Sequence, residues 1–132
     1  MNTHLLQPAE YEREEEHTYH PGSEVVTRIV GVTFNNRQAV IARLTFGEEI
    51  LLRREPNNPY DPNAIRVERQ NGEQFGYINR CLAANIASFF DARTRPVSGS
   101  VHCLTGSSRS GYSLGVIITF TIPQPEPISQ GA

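Results

Sequence analysis

Arg54-Glu55-Pro56-Asn57-Asn58-Pro59-Tyr60-Asp61-Pro62-Asn63-Ala64-Ile65 is the stretch that decides the fold of this chain. Its three prolines fix their own φ angles and push Glu55, Asn58 and Asp61, the residues before them, out of helical geometry. The segment is therefore a stiff loop, and the runs beside it, Glu49 to Arg53 and Ala64 to Glu68, read as strands. The loop carries amide, phenol and carboxylate groups at fixed spacing, which suits a binding loop. Asn, Asp and Pro are also ordinary turn formers, so the same residues suit a connection that binds nothing.

Upstream, Val25 to Phe34 is rich in β-branched residues and predicts a strand. Asn35 or Asn36 can cap a helix over residues 37–44, with Gly47 ending that unit. Downstream, Asn71-Gly72 is a hairpin turn signal leading into a strand over Gln74 to Ile78. Asn79 suits the N-cap of a second helix, along which Leu82, Ile86 and Phe89 or Phe90 recur at helical spacing. Two last strands, about Val97 to Leu104 and Leu114 to Ile122, flank a Gly-Ser loop, and the prolines from Pro123 onward stop further pairing. The expected fold is mainly β: a small OB-like six-stranded β-barrel with two flanking α-helices, because closure removes exposed strand edges.

A chain of 132 residues has room for one core. The expected organisation is a flexible acidic tail over residues 1–24, one domain over 25–122 and a flexible Pro-rich tail over 123–132. No apolar run approaches the roughly 18 residues of a membrane span, and none suits a signal peptide, so a cytoplasmic protein without a membrane partner is expected. Cys81 and Cys103 lack CxxC spacing and read as buried thiols, with no metal site and no cofactor implied. All 12 basic residues are arginine, which excludes a Schiff-base lysine and a Walker A lysine. Gly106 to Gly111 has GxxxxG spacing, but Tyr112 follows where a phosphate loop needs Lys, so it reads as a flexible hairpin loop. The formal charge of −2 is uneven. Residues 1–24 hold six acids against one arginine, and the remainder holds 11 arginines against eight acids. A mildly basic body is compatible with nucleic acid.

The Pro-Asn loop, together with Arg28-Ile29-Val30-Gly31-Val32-Thr33-Phe34, Asn36-Arg37-Gln38, Gly47-Glu48, Phe75-Gly76-Tyr77-Ile78-Asn79-Arg80 and the Leu82 to Ala87 run, resembles the HIRAN domain. Members of that family are small DNA-binding modules, fused to fork-remodelling helicase-like ATPases or free-standing in bacteria, and the motifs follow one another in family order over residues 25–91. The resemblance implies an OB-like barrel that recognises 3′ ends of single-stranded DNA, with the loop's acid near the terminal hydroxyl. It also implies a setting in DNA repair or replication-fork processing, with a helicase or nuclease acting in trans. Fork-remodelling members carry a basic residue beside the first aromatic, where this chain has Thr33.

Carried onto this sequence, the expected DNA-binding residues are Phe34, Asn57, Asn58, Tyr60, Asp61, Tyr77 and Arg80, with Arg37 and Arg54 as further candidates. Phe34, Tyr60 and Tyr77 can stack unpaired bases, although each also suits packing against a core. The amides of Asn57 and Asn58 can donate to phosphates or base edges, and Arg80 can hold a phosphate. Asp61 would repel phosphate but accept a hydrogen bond from a terminal 3′-OH; it can equally cap its own turn. Arg53 and Arg54 point to opposite faces of a regular strand, so one shared surface takes at most one of them. No catalytic triad is visible and no enzymatic activity is expected. The alternatives are a protein-interaction module on the same barrel and, with less support, a metal-dependent hydrolase using Glu55, Asp61 and Asn63.

Overall fold

The computed structural model describes residues 18–107 and 112–126. Six antiparallel strands form one curled sheet: β1 (Glu24–Arg28), β2 (Glu49–Arg54), β3 (Ile65–Arg69), β4 (Gln74–Tyr77), β5 (Val97–Ser107) and β6 (Tyr112–Thr121), in the order β1-β6-β5-β2-β3-β4. Two helices complete it, α1 (Arg37–Ile41) and α2 (Arg80–Asp91). Strand alternation turns Ile50 and Leu52 of β2, Val101 of β5, and Val116, Ile118 and Phe120 of β6 into one buried core. The apolar stripe of α2, Leu82, Ala83, Ile86 and Phe90, joins that core, and the Phe90 ring meets Phe120 edge-on at 6.2 Å. As the sequence suggests, Asn79 caps α2, its Oδ1 accepting the Leu82 N–H at 2.8 Å.

The sheet curls until its two ends touch at a single pair of residues. Val30 N–H donates to Tyr77 O at 2.9 Å, and Tyr77 N–H returns the bond at 3.0 Å. This approach requires a glycine. A Cβ on Gly76 would lie 2.7 Å from Val30 O and collide with Ile29 Cγ2. The expected strand over Val25 to Phe34 accordingly stops at Arg28, and Val30 survives only as the isolated bridge. Gly31, at φ 69°, turns the chain away, and Asn35 follows at φ 56°.

α1 ends at Ile41 rather than Leu44, and Asn36 stands at its N-cap without a side-chain hydrogen bond. The helix is secured by other contacts. Gln38 Nε2 donates to Leu114 O at 2.9 Å while its Oε1 accepts the Leu114 N–H at 2.9 Å. At the other end Arg43 pairs with Glu73 at 2.7 Å, and Arg69 bridges Glu48 at 2.7 Å and Glu73 at 3.2 Å. Hydrogen bonds from Arg43 and Asn71 hold the Glu73 carboxyl down to about 2.

Both expected tails are shorter within the described residues. Gly22 N–H donates to Ile122 O, Tyr19 packs on the core, and Arg93 holds Gln124 O at 3.0 Å. Residues 1–17, 108–111 and 127–132, which include most of the acidic tail and the tip of the Gly-Ser loop, lie outside the description. Cys81 is exposed and Cys103 half-buried, contrary to expectation, because Leu82, Ala83, Ile86 and Phe90 claim the inward stripe of α2 and Cys103 lies across from Ile117, which is itself half-exposed. Among the described residues no helix is long and apolar enough to cross a membrane.

Gly76→Ala is expected to destabilise the protein by about 1–3 kcal/mol, since the added methyl has no room beside the closing bridge. A urea denaturation midpoint equal to that of the wild type would show that the bridge is free to shift.

Candidate functional site

The Pro-Asn loop is held together by its own polar groups. Glu55 N–H donates to Ala64 O at 2.9 Å, which extends the β2–β3 hairpin by one rung. Asn58 then fixes the tip: its Oδ1 accepts the N–H groups of Tyr60 at 2.8 Å and Asp61 at 3.1 Å, while its Nδ2 donates to Glu55 Oε1 at 2.9 Å. Asp61 Oδ1 accepts the Asn63 N–H at 2.9 Å, the turn-capping bond that its sequence context allows.

Glu55 is the junction between loop and barrel. Tyr77 Oη donates to Glu55 Oε1 at 2.8 Å, and Arg66 reaches Oε2 at 3.4 Å. Burial pushes the Glu55 carboxyl up, but the hydrogen bonds from Asn58 and Tyr77 and the Arg66 charge outweigh it and hold the group below its ordinary 4.5.

Across from the loop stands the segment between the closing bridge and α1. Here Arg37 donates to Gly31 O at 2.6 Å and lays its guanidinium 5.3 Å from the centroid of the Tyr77 ring, within cation–π range. Loop and segment enclose a cleft of about 950 Å³. Its lining brings together Phe34, Arg37, Asn57, Asn58, Tyr60, Asp61, Tyr77 and Arg80, residues that the sequence spreads over four motifs.

The parts these residues can play differ from their sequence reading. Phe34 is 65% exposed and Tyr60 84% exposed, so neither belongs to the core. Tyr77 is half-buried, with its hydroxyl spent on Glu55 and its ring beside Arg37. The Asn58 amide is committed within the protein at both ends, which leaves Asn57 as the exposed amide of the pair. Arg80 is exposed at the first turn of α2 and has no hydrogen-bond or ion-pair partner among the described residues. Asp61 Oδ2 likewise has none among them. Arg54 does not line the cleft. It pairs with Asp91 at 2.8 Å, donates to Ala64 O at 2.9 Å and is only 13% exposed, so it ties the loop's base to the end of α2. Sequence reading also missed Glu55 as a structural acceptor, although Arg66 one residue beyond the Arg54↔Ile65 pair marks where its counter-charge would stand. With Glu55 occupied by Asn58, Tyr77 and Arg66, the cation site drawn from Glu55, Asp61 and Asn63 loses its first ligand. Among the described residues no group of three or more His, Cys, Asp and Glu side chains is placed to hold a metal ion.

A small curled barrel with one aromatic cleft, set between a stiff hairpin loop and an arginine-bearing segment, defines an OB-like binding domain. The chain belongs to the HIRAN domain family, whose model matches residues 23–120. It is 42% identical over 76 residues to the helicase-like transcription factor of Mus musculus, a match covering 58% of this chain and 6% of that protein. The chain spans 5–8% of the length of the curated relatives it matches. Among solved structures, a protein from Lactobacillus plantarum matches with a TM-score of 0.56 and 25% identity, over 74% of this chain and 97% of that one. The HLTF HIRAN domain in its DNA-bound conformation matches with a TM-score of 0.50 and 26% identity, over 83% of this chain and 81% of that one.

Removing the phenol hydroxyl tests the junction. Tyr77→Phe is expected to raise the Glu55 pKa, because one of the bonds favouring the carboxylate is lost, and to cost about 1.5–3 kcal/mol near neutral pH. The sign follows from linkage: a carboxylate with a lowered folded pKa stabilises the fold above about 4.5, and that contribution fades as pH falls through the folded value. The stability deficit of the variant should therefore shrink under acid. A carboxyl NMR titration that leaves Glu55 unmoved would contradict this account.

Proposed function

We propose that the cleft binds single-stranded DNA and reads a free 3′ end. The observation that carries this reading is the Asp61 carboxylate, one oxygen of which caps its own turn while the other has no partner among the described residues, in a cleft also lined by two exposed aromatic rings. Phe34 and Tyr60 supply faces for unpaired bases, each stacked base being worth about 1–3 kcal/mol. Arg80 and Arg37 supply positive charge for the backbone, and Asn57 supplies a free amide. A carboxylate among phosphates is tolerable where the nucleic acid offers a donor, and a terminal 3′-OH is such a donor. A continuing strand or a 3′-phosphate offers none, and a phosphate adds repulsion.

The DNA-bound conformation recorded for the HLTF HIRAN domain supports nucleic acid as the ligand class. The helicase-like relative supports a place in repair or fork processing, in which the domain presents 3′ ends to a helicase or nuclease acting in trans.

Fluorescence anisotropy with short oligonucleotides tests this directly. A strand ending in 3′-phosphate is expected to bind about tenfold or more weakly than the same strand ending in 3′-OH, the equivalent of losing one hydrogen bond to a charged group. Asp61→Asn keeps the turn-capping acceptor but removes the charge, so it should narrow that ratio. Affinity should also fall with salt by a log–log slope of about −0.7 for each phosphate neutralised. Equal binding of both ends by the wild type would reduce Asp61 to a turn former, and a flat salt response would overturn DNA as the ligand.

A further inference from the structure

Glu55 lines the cleft with its carboxylate engaged by the protein's own groups, and so can govern the site through them. Its Oε1 accepts from Asn58 Nδ2 at 2.9 Å and from Tyr77 Oη at 2.8 Å, and Oε2 accepts from Arg66 at 3.4 Å. An asparagine amide has two ends of opposite polarity, and which end points where is set by its surroundings. With an acceptor fixed at Glu55, the Asn58 Nδ2 must face it. The Oδ1 must then face the other way, where the N–H groups of Tyr60 at 2.8 Å and Asp61 at 3.1 Å await an acceptor. These two backbone groups belong to the residues that carry the exposed ring and the carboxylate oxygen without a partner among the described residues. Through Tyr77 the same carboxylate also steadies the ring on which Arg37 rests at 5.3 Å.

We infer that Glu55 is the positioning residue of the cleft: by orienting the Asn58 amide it fixes Tyr60 and Asp61 in their places, and so sets how sharply the site distinguishes one strand end from another. This inference rests on the DNA-end reading for its functional half, whereas its structural half concerns the free protein. A negatively charged acceptor suits the task better than a neutral one, because it can take two donors and an arginine at once. The lowered pKa of Glu55 agrees with that arrangement, since the group stays charged across the neutral range.

A donor–acceptor exchange across the pair separates positioning from mere stability. Glu55→Gln alone keeps a carbonyl oxygen that can face Asn58 Nδ2, whereas Asn58→Asp alone sets a carboxylate against the Glu55 carboxylate and leaves the pair mismatched. In the double variant the glutamine Nε2 stands where Glu55 Oε1 stood and donates to the new aspartate, whose other oxygen still accepts from Tyr60 and Asp61, while the Tyr77 hydroxyl turns to accept from the same Nε2 and the glutamine oxygen accepts from Arg66. Two readouts on the full chain apply. In the free protein, amide hydrogen exchange at Tyr60 and Asp61 should stay near the wild-type rate in Glu55→Gln, speed up in Asn58→Asp and return towards the wild-type rate in the double. With short single strands, Asn58→Asp should lose most of the roughly tenfold preference for 3′-OH over 3′-phosphate, and Glu55→Gln and the double should keep it, as expected for strongly coupled neighbours. Wild-type exchange and an undiminished end preference in Asn58→Asp, or no recovery in the double, would overturn the inference. Should a single variant fail to fold, the double decides: wild-type exchange at Tyr60 and Asp61 supports the inference, and unprotected amides there refute it. If the wild type binds no strand at all, the DNA reading fails, while the exchange pattern still tests the positioning of Tyr60 and Asp61 by Glu55.

Discussion

Two backbone hydrogen bonds between Val30 and Tyr77 are the contact on which the rest of this structure depends. They join the opposite ends of a six-stranded sheet, and in doing so bring the segment after β1 against the hairpin loop after β2. Without that closure the two walls of the cleft would belong to distant ends of an open sheet. The constraint reaches back into the sequence as a demand for no side chain at Gly76 and for a left-handed residue at Gly31, immediately after the bridge. Tyr77 therefore works twice: its backbone closes the barrel while its hydroxyl and ring organise the cleft.

The polar residues of the cleft divide into those consumed in holding it and those left facing outward. Glu55, Asn58 and Arg54 make their bonds inside the protein. Asn57, Tyr60 and Arg80 keep their functional groups exposed, and Asp61 has one oxygen on each side of the division. A loop with three prolines already loses little entropy on becoming ordered, and its internal bonds reduce that cost further. The geometry is set before any ligand arrives, so a ligand that fits badly meets a site that cannot easily yield.

Much of this was legible in the sequence because it is written in local chemistry. The Asn79 cap, the Asn71-Gly72 turn and the proline-pinned loop act over a few residues, and the ordered motifs pointed to the family and to most of the cleft. What could not be read depended on register and distance. Nothing near Arg54 in sequence announces Asp91, with which it pairs, so its role as a strut was invisible. Asn58 looked free because its partners, Glu55 and two backbone amides, become partners only once the loop is folded. The strand expected through Phe34 failed because β propensity in Val30 and Val32 says nothing about where a sheet must turn to close on itself. Cys81 looked buried from its type alone, yet its neighbours on α2 were the better candidates for the inward stripe.

The side chain of Gln38 carries a consequence of a different kind. Beyond Ile29, whose N–H still donates to Val116 O, the chain leaves the edge of β6, and Leu114 would present a bare N–H and C=O there; Gln38 supplies an amide with the spacing of a neighbouring strand and satisfies both. An unpaired strand edge is a template on which another polypeptide can add itself. A strand arriving from a second molecule would have to displace a partner already in place. At this point along β6 the protein is guarded against sticking to itself by one glutamine, where other folds use a lysine, a proline or a bulge, in a chain that has no lysine to use.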